Sequence, residues 1–288
     1  MSMEYGCQSM VLPLRRVLVK RPDEHFSVQD YSKWHYQGPL NLEEAKLEHD
    51  TFVDALRNFG SEVLYHSEPQ PDHADSIFTY DPAIITYEGA IILQMGKHLR
   101  RGEEAPMRRR LTELGIPIYY SVSGGATVEG GDLLWIDDST LAVGQGFRTN
   151  VEGLSQMREA MKPLGVEVIP VELPYFGGPE ACLHLMSLIS IVDDDLAVVY
   201  SPLLPVPFWK FLKGRGVTLL EVPEKEFNTM GTNVLTLAPE KAIIVEGNPL
   251  TEKLLKDAGC DVETYKGVEI TLKTEGGPTC LTRPLLRR

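Results

Sequence analysis

LTELGIPIYYS, residues 111–121, is an amphipathic stretch that runs into a glycine and then into a short alternating strand. A glycine at that place supplies the left-handed residue that ends a helix. The alternation behind it has the period of a half-buried strand. The same phrase returns as ALRNFGSEVLYHS (55–67), AMKPLGVEVIPVE (160–172), FLKGRGVTLLEVP (211–223) and LLKDAGCDVETY (254–265). Its glycines are Gly60, Gly115, Gly165, Gly216 and Gly259, at spacings of 55, 50, 51 and 43 residues. A second phrase alternates with the first: strand, acidic or glycine turn, strand. It occurs as DPAIITYEGAIIL (81–93), DLLWIDDSTLAV (132–143), LISIVDDDLAVVY (188–200) and NVLTLAPEKAIIV (233–245). Runs of Ile, Val and Leu broken by turn residues read as hairpins.

Five helix–glycine–strand phrases require five hairpins, and the interior holds four. CLTRPLL (280–286) can supply the first strand of the fifth and RRVLVKRP (15–22) the second. Joining them closes a ring. The expected architecture is α/β: five units of hairpin, helix and further strand around one axis, in a single domain spanning residues 1–288. An open α/β sheet competes, but it leaves the matched phrases to coincidence. Neither G-x-G-x-x-G after a strand nor G-x-x-x-x-G-K-[ST] occurs, so the nucleotide-binding folds lack their signatures. The helix in NLEEAKLEHDTFVDALRNFG (41–60), assigned to the first unit, begins with Asn41 as cap and Glu44 three residues on, resembling a capping box. Leu42, Ala45, Phe52, Ala55, Leu56 and Phe59 give it an inward stripe.

The chain has 288 residues, 43% hydrophobic and 24% charged, with a formal charge of −13. That charge opposes binding to nucleic acid or to an anionic membrane, both of which need clustered Lys and Arg. Apolar runs such as AIIL and LAVVY are too short to span a bilayer. MSMEYGCQSMVLPLRRV lacks the charged-then-apolar order of a signal peptide. Cys7, Cys182, Cys260 and Cys280 are scattered with no C-x-x-C pair, which argues against a zinc site or disulfide framework and for a reducing cytoplasm. The sequence leaves the oligomeric state open, with a homodimer as one option.

In a ring of repeats, equivalent positions face one axis. The residues at the start of each hairpin are Asp81 (FTYDPA), Glu129 and Asp132 (EGGD), His184 (ACLHLMS), Asn233 (GTNVL) and Cys280 (GGPTC). Cys and His form a nucleophile and proton-transfer pair. Neighbouring carboxylates need a cation, because unpaired buried acids are costly. A guanidinium group fits: planar, charged and rich in N–H donors. Singly, each residue has a plainer reading, Cys280 as a small buried hydrophobe, His184 as a core histidine in an apolar strand, EGGD as a turn. The shared register raises them together.

FTYDPA, KHLRRGEE, TVEGGD, GFRTN, LHLMS and GGPTC, in this order, resemble the guanidino-group-modifying superfamily, whose members include arginine deiminases, dimethylarginine dimethylaminohydrolases and amidinotransferases. The resemblance spans nearly the whole chain, and the length favours the dimethylargininase-like branch. It implies the five-bladed αββαβ propeller, or pentein, fold. It implies Cys280 as nucleophile, His184 as general acid/base and Glu129 as the acid that holds the guanidinium and orients the histidine. Asp81 and Asp75 are implied as substrate contacts, Arg148 as the partner of a substrate carboxylate, Arg100 as a second arginine near the site, and Asp132 as a supporting residue in its turn. Of Arg100 and Arg101, one is expected on a solvated face. The implied reaction is hydrolysis through a covalent thiouronium, with a small guanidino compound as partner and neither metal nor organic cofactor.

Two positions depart from the family pattern. Deiminases and amidinotransferases carry H-x-D; here the third residue is Met186, so the site is expected to lose one carboxylate and gain an apolar contact. Dimethylargininases usually carry Glu before the aspartate of unit one; here it is Tyr80. N-methylated arginine is the leading substrate, with arginine, by deimination or amidino transfer, as the alternative. A non-catalytic propeller, as in a ribosome anti-association factor of this fold, is disfavoured by the co-occurrence of Cys280, His184, Glu129 and Asp81. The stretch DEHFSVQDYSKWHYQGP (23–39) is either a lid or a surface loop.

Overall fold

A computed structural model describes residues 4–179, 181 and 183–288, so Cys182 lies outside the described residues. Strand β1 (Leu14–Val19) is followed by helix α1 (Leu42–Phe59) and β2 (Glu62–Tyr65). Three complete units follow. They are β3 (Ala83–Thr86), β4 (Gly89–Ile92), α2 (Glu104–Glu113) and β5 (Ile118–Ser121); β6 (Leu133–Asp137), β7 (Thr140–Gln145), α3 (Val151–Met161) and β8 (Glu167–Glu172); and β9 (Ile189–Asp193), β10 (Leu196–Val199), α4 (Val206–Gly214) and β11 (Thr218–Glu221). A short helix α5 (Glu224–Phe227) leads into β12 (Leu235–Ala238), β13 (Lys241–Val245), α6 (Pro249–Asp257) and β14 (Asp261–Tyr265), and the chain finishes on β15 (Arg283–Arg287).

The strands form five three-stranded sheets: β3-β4-β5, β6-β7-β8, β9-β10-β11, β12-β13-β14 and β15-β1-β2. In each, the middle strand is antiparallel to its hairpin partner and parallel to the strand beyond the helix. The hairpin is local, whereas a parallel pairing needs a crossover, and the helix is that crossover. The five repeat glycines all sit at left-handed φ, between 71° and 105°, the conformation that turns each helix into its following strand.

The fifth sheet joins the two ends of the chain. Val17 faces Pro284 and Leu18 faces Arg283 across an antiparallel pair, so the closing strand begins three residues beyond Cys280 and not at it. Pro284 stands on the outer strand of this sheet, where a missing N–H is tolerated. One expectation shifts. Helix α1 lies between β1 and β2 and therefore belongs to the ring-closing unit, not to the first complete one.

The cap of α1 is also built differently from the sequence pattern. Asn41 accepts from the N–H groups of Glu43 and Glu44, as expected. The return bond to the Asn41 N–H comes from Glu269, 2.9 Å away, while Glu44 pairs with Lys266. Glu48, buried on the same helix, accepts from the N–H groups of Val268, Glu269 and Ile270. Helix α1 thus anchors the segment that runs on to Cys280. Asn41→Ala is expected to cost ~1 kcal/mol, read as a lower denaturation midpoint with an unchanged slope.

The apolar stripe of α1 buries Ala45, Phe52, Ala55 and Leu56, with Leu42 and Phe59 partly buried at its ends. Helices α2, α3 and α4 bury Met107 and Leu111, Met157 and Met161, and Phe208 and Leu212. Each fully buried side chain of this size contributes ~2 kcal/mol against exposure. Cys7, Cys260 and Cys280 are free thiols, the first two buried and the third half-buried. Among the described residues, no helix is long and apolar enough to cross a membrane.

Candidate active site

The turn before each first strand delivers one or two polar side chains to the same end of the ring. Asp132 directly precedes the first strand of its unit and Asp81 stands two residues before its own, Glu129 and His184 stand before short helical turns, and Asn233 and Cys280 occupy the corresponding loops. His184 is therefore not in a strand; it caps the turn Leu185–Ser187, its backbone N–H donating to Ser187 Oγ. A narrow cavity is lined by Asp75, Asp81, Lys97, Arg100, Arg148, His184 and Cys280, with Trp34, His35, Phe78 and residues 274–276 forming its remaining walls.

Glu129 is the centre of the polar network and is fully buried. Its Oε2 takes His184 Nε2 at 2.7 Å and Arg148 Nη1 at 3.2 Å, and its Oε1 accepts the Lys97 N–H at 2.7 Å. Burial alone would push this carboxyl up. The charge of Arg148, the hydrogen bond and charge of His184, and Arg100 further off outweigh it and hold the group well below the usual carboxylate range. Glu129 is therefore an anion that locks the histidine's orientation and stabilises positive charge on it.

Asp132 supports this pair from behind. The Glu129 N–H donates to Thr149 Oγ1, the Thr149 hydroxyl donates to Asp132 Oδ2, and Asp132 Oδ1 accepts the Leu185 N–H, next in the chain to His184. Burial pushes Asp132 up to about 6, against the pull of His184 and these hydrogen bonds. EGGD needs its second glycine because a Cβ on Gly131 would collide with the imidazole of His184. The Gly131 N–H, in turn, donates to Asp81 Oδ1 at 2.8 Å.

Asp81 Oδ2 accepts from Arg100 Nη1 at 2.5 Å. Arg100 is buried, with Nε and Nη2 on Glu103 and Nη2 also on the Phe78 carbonyl, whereas Arg101 is exposed. Arg100 is thus the girder that aims Asp81. Cys280 Sγ accepts from Asn233 Nδ2 at 3.3 Å, and Asn233 Oδ1 accepts the Thr279 N–H. A Cβ on Gly277 would collide with Asn233, so the GGP turn lets the cysteine loop press against the unit-four loop.

Arg148 lines the cavity while bound to Glu129, so in this structure it balances the acid. Asp75 also lines the cavity, between Lys97 Nζ (2.7 Å) and the Tyr36 hydroxyl (2.8 Å). Trp34 and His35 line the cavity and Tyr36 is buried, so the 23–39 stretch packs over the site. Burial and the neighbouring Asp75 raise Tyr36 well above the ordinary phenol range, which keeps it a donor.

The two departures from the family pattern act elsewhere. Met186 packs in an apolar cluster with Leu134, Leu188 and Val199, and the residues given above as lining the cavity do not include it. Tyr80 lies in the same cluster, stacked 3.9 Å under the Arg283 guanidinium. Sequence reasoning missed Lys97, Glu103, Thr149 and Trp34. The first two sit in KHLRRGEE, where a basic run meets an acidic one; Thr149 sits in GFRTN and Trp34 in the 23–39 stretch, and nothing local singled either out.

A family model described as "N,N dimethylarginine dimethylhydrolase, eukaryotic" matches residues 22–277. The N(G),N(G)-dimethylarginine dimethylaminohydrolase of Streptomyces coelicolor is 31% identical over 94% of this chain and 97% of its own.

The chain belongs to the dimethylarginine dimethylaminohydrolase family.

Two solved structures share the fold. A cysteine-to-serine mutant of the Pseudomonas aeruginosa dimethylarginine dimethylaminohydrolase, complexed with citrulline, aligns at TM-score 0.78 with 21% identity, over 94% of this chain and 99% of that one. The N-terminal domain of ArgZ, a cyanobacterial arginine dihydrolase, bound to product, aligns at 0.79 with 20% identity, over 94% and 96%. As a member of the dimethylarginine dimethylaminohydrolase family, the chain is a guanidino-group hydrolase, acting on C–N bonds of linear amidines. Its fold is the pentein propeller.

Proposed function

We propose that the chain hydrolyses an N-methylated arginine to citrulline and a methylated amine, with Cys280 as nucleophile, His184 as general acid and base, and Glu129 and Asp81 holding the guanidinium. The observation that carries this reading is a single cavity containing the Cys280 thiol, the His184–Glu129 pair and the aimed carboxylate of Asp81. A guanidinium between the two carboxylates places a cation beside the sulfur, which favours the thiolate.

The thiolate attacks the guanidinium carbon, forming an S–C bond and a tetrahedral adduct. The C–N bond to the methylated nitrogen breaks as protonated His184 gives that nitrogen its proton. The thiouronium left on Cys280 is attacked by water, His184 takes the water's proton, and the S–C bond breaks to release the ureido product and restore the thiolate. Glu129 stabilises the imidazolium each time it forms.

The position from which deiminases present a second carboxylate carries Met186 here, and its side chain is in the core. A methylated nitrogen needs no acceptor there, whereas the N–H groups of an unmethylated one lose theirs. Tyr80, in place of the family's glutamate, keeps plain arginine as a second substrate. Separate incubations with dimethylarginine, monomethylarginine and arginine, with the released amine identified by mass, decide between them. Dimethylamine with citrulline, at a kcat/KM at least ~10-fold above that for arginine, is expected from the loss of about one hydrogen bond's worth of discrimination. Faster ammonia release from arginine would transfer the activity to the alternative. The scattered free thiols fit action in the cytoplasm.

A further inference from the structure

Glu103 lies behind the cavity wall and reaches it through Arg100. Its side chain is 2% exposed, and both oxygens accept from that guanidinium, Oε1 from Nε at 2.9 Å and Oε2 from Nη2 at 2.8 Å. Among the described residues no other donor reaches them. The third nitrogen of Arg100, Nη1, extends forward to Asp81 Oδ2 at 2.5 Å. One cation thus serves two buried carboxylates, one in the site and one behind it.

The charges around it leave one acid over. Asp75, Asp81 and Glu103 face Lys97 and Arg100, three carboxylates against two cations, while Glu129 has Arg148. All three acids are 5% exposed or less. A buried charge in excess is costly, so the cluster takes up either a proton or a further cation. The acids are not equally placed to take the proton. Asp75 has Lys97 to itself and the Tyr36 hydroxyl besides, and Asp81 has the Gly131 N–H besides Arg100. Glu103 only shares Arg100. Around it, Asp75 opposes its ionisation and His73, held on the Arg101 carbonyl, favours it. Tyr36 is kept neutral, and Glu104 turns away to the N–H groups of Met95 and Gly102. Burial outweighs Arg100 and pushes Glu103 up to about 7, so near that pH it is half protonated in the free protein. A guanidinium arriving at Asp81 is the missing cation. It adds positive charge next to the Arg100 fork, where burial leaves charges weakly screened, and that favours the Glu103 anion.

We propose that Glu103 is a positioning residue that gives up its proton when the substrate's guanidinium binds at Asp81, so that Arg100 is held between two full carboxylates only in the complex. The inference rests on the guanidino-hydrolase reading above and adds a proton to its binding step: one cation enters and one proton leaves to solvent. The sign follows. Below the pKa of both states binding must do without the Glu103 anion, so affinity rises with pH up to about 7 and is level above it.

The test is calorimetric binding of dimethylarginine to the Cys280→Ser protein in buffers of different ionisation enthalpy, which counts released protons with no Cys280 thiol to contribute. The expected result near neutral pH is release of about half a proton per ligand, with affinity rising ~10-fold between about pH 5 and 8. Adding Glu103→Gln is expected to remove most of the release and flatten the rise. Weaker binding at every pH with the release unchanged is what a merely structural role gives, and it overturns the coupling while the site reading stands. If the double variant fails to fold, the infrared difference spectrum of the Cys280→Ser protein decides near neutral pH, where Asp132, at about 6, is mostly ionised. Loss of a protonated-carboxyl band on ligand binding supports the coupling, and its persistence overturns it. If the Cys280→Ser protein binds neither dimethylarginine nor arginine, the site reading itself falls, and the coupling with it.

Discussion

Cys280→Ser is expected to lower turnover by ~10⁴-fold or more while the fold stays intact. The size follows from the chemistry. At neutral pH a thiol beside a bound cation reaches its anionic form, and a serine hydroxyl does not. The guanidinium carbon is a poor electrophile, so a neutral hydroxyl offers no substitute route. Structural cost is small because the polar contacts survive. The Cys280 carbonyl still accepts the Tyr80 N–H, and Asn233 Nδ2 finds an oxygen where it had a sulfur. Steady-state kinetics with thermal denaturation of the same samples checks both halves. Turnover within tenfold of the parent would remove Cys280 from the reaction.

Glu129→Gln is expected to act on activity and stability together. The carboxylate accepts from His184, Arg148 and the Lys97 N–H, and a glutamine keeps the shape while losing the charge and one acceptor. Arg148, 5% exposed in its side chain, loses its carboxylate partner. Removing one partner of a buried ion pair costs ~3 kcal/mol. His184 loses the anion that stabilises its protonated form, and kcat is expected to fall ~10³-fold. The pH dependence has a definite sign. Glu129 is held below the 4.5 of an ordinary glutamate, so below that pH the unfolded chain binds more protons at this site than the folded one. Its contribution is present above that pH and is lost on acidification. Asp132, pushed up to about 6, contributes with the opposite sign, losing stability as pH rises from 3.8 through 6. Glu129→Gln should flatten the acid limb and, by removing a negative charge that helps to raise Asp132, narrow the Asp132 window. An unchanged acid limb would show that Glu129 is not held as an anion by its neighbours.

The ring was legible because its signals are local and repeated. A helix stop such as Gly115 and a hairpin turn such as Asp193–Asp195 are written in adjacent residues, and five copies identify one another. Glu129, His184 and Cys280 were legible because they occupy equivalent places in that repeat. What escaped was set by contacts distant in sequence. The bond that completes the α1 cap comes from Glu269, 228 residues from Asn41. Tyr80 and Met186 flank site residues in the chain but face away from the cavity, because neighbours in an extended or turning backbone alternate direction. Lys97 reads as a surface charge until the ring brings it against Asp75, and Trp34 reads as part of an irregular loop until it covers that pair. The assignment of α1 to the wrong unit came from reading the chain in order, when the ring closes on its two ends.

The central claim is covalent catalysis at one named sulfur. The direct measurement is acid quenching of the enzyme during turnover of dimethylarginine, followed by proteolysis and mass mapping of the cysteine-containing peptides. The expected result is a transient adduct with the mass of the substrate less its amine, confined to the peptide that carries Cys280 and gone once substrate is exhausted. Sustained turnover with no adduct on that peptide, or with the adduct on Cys7, Cys182 or Cys260, would contradict it.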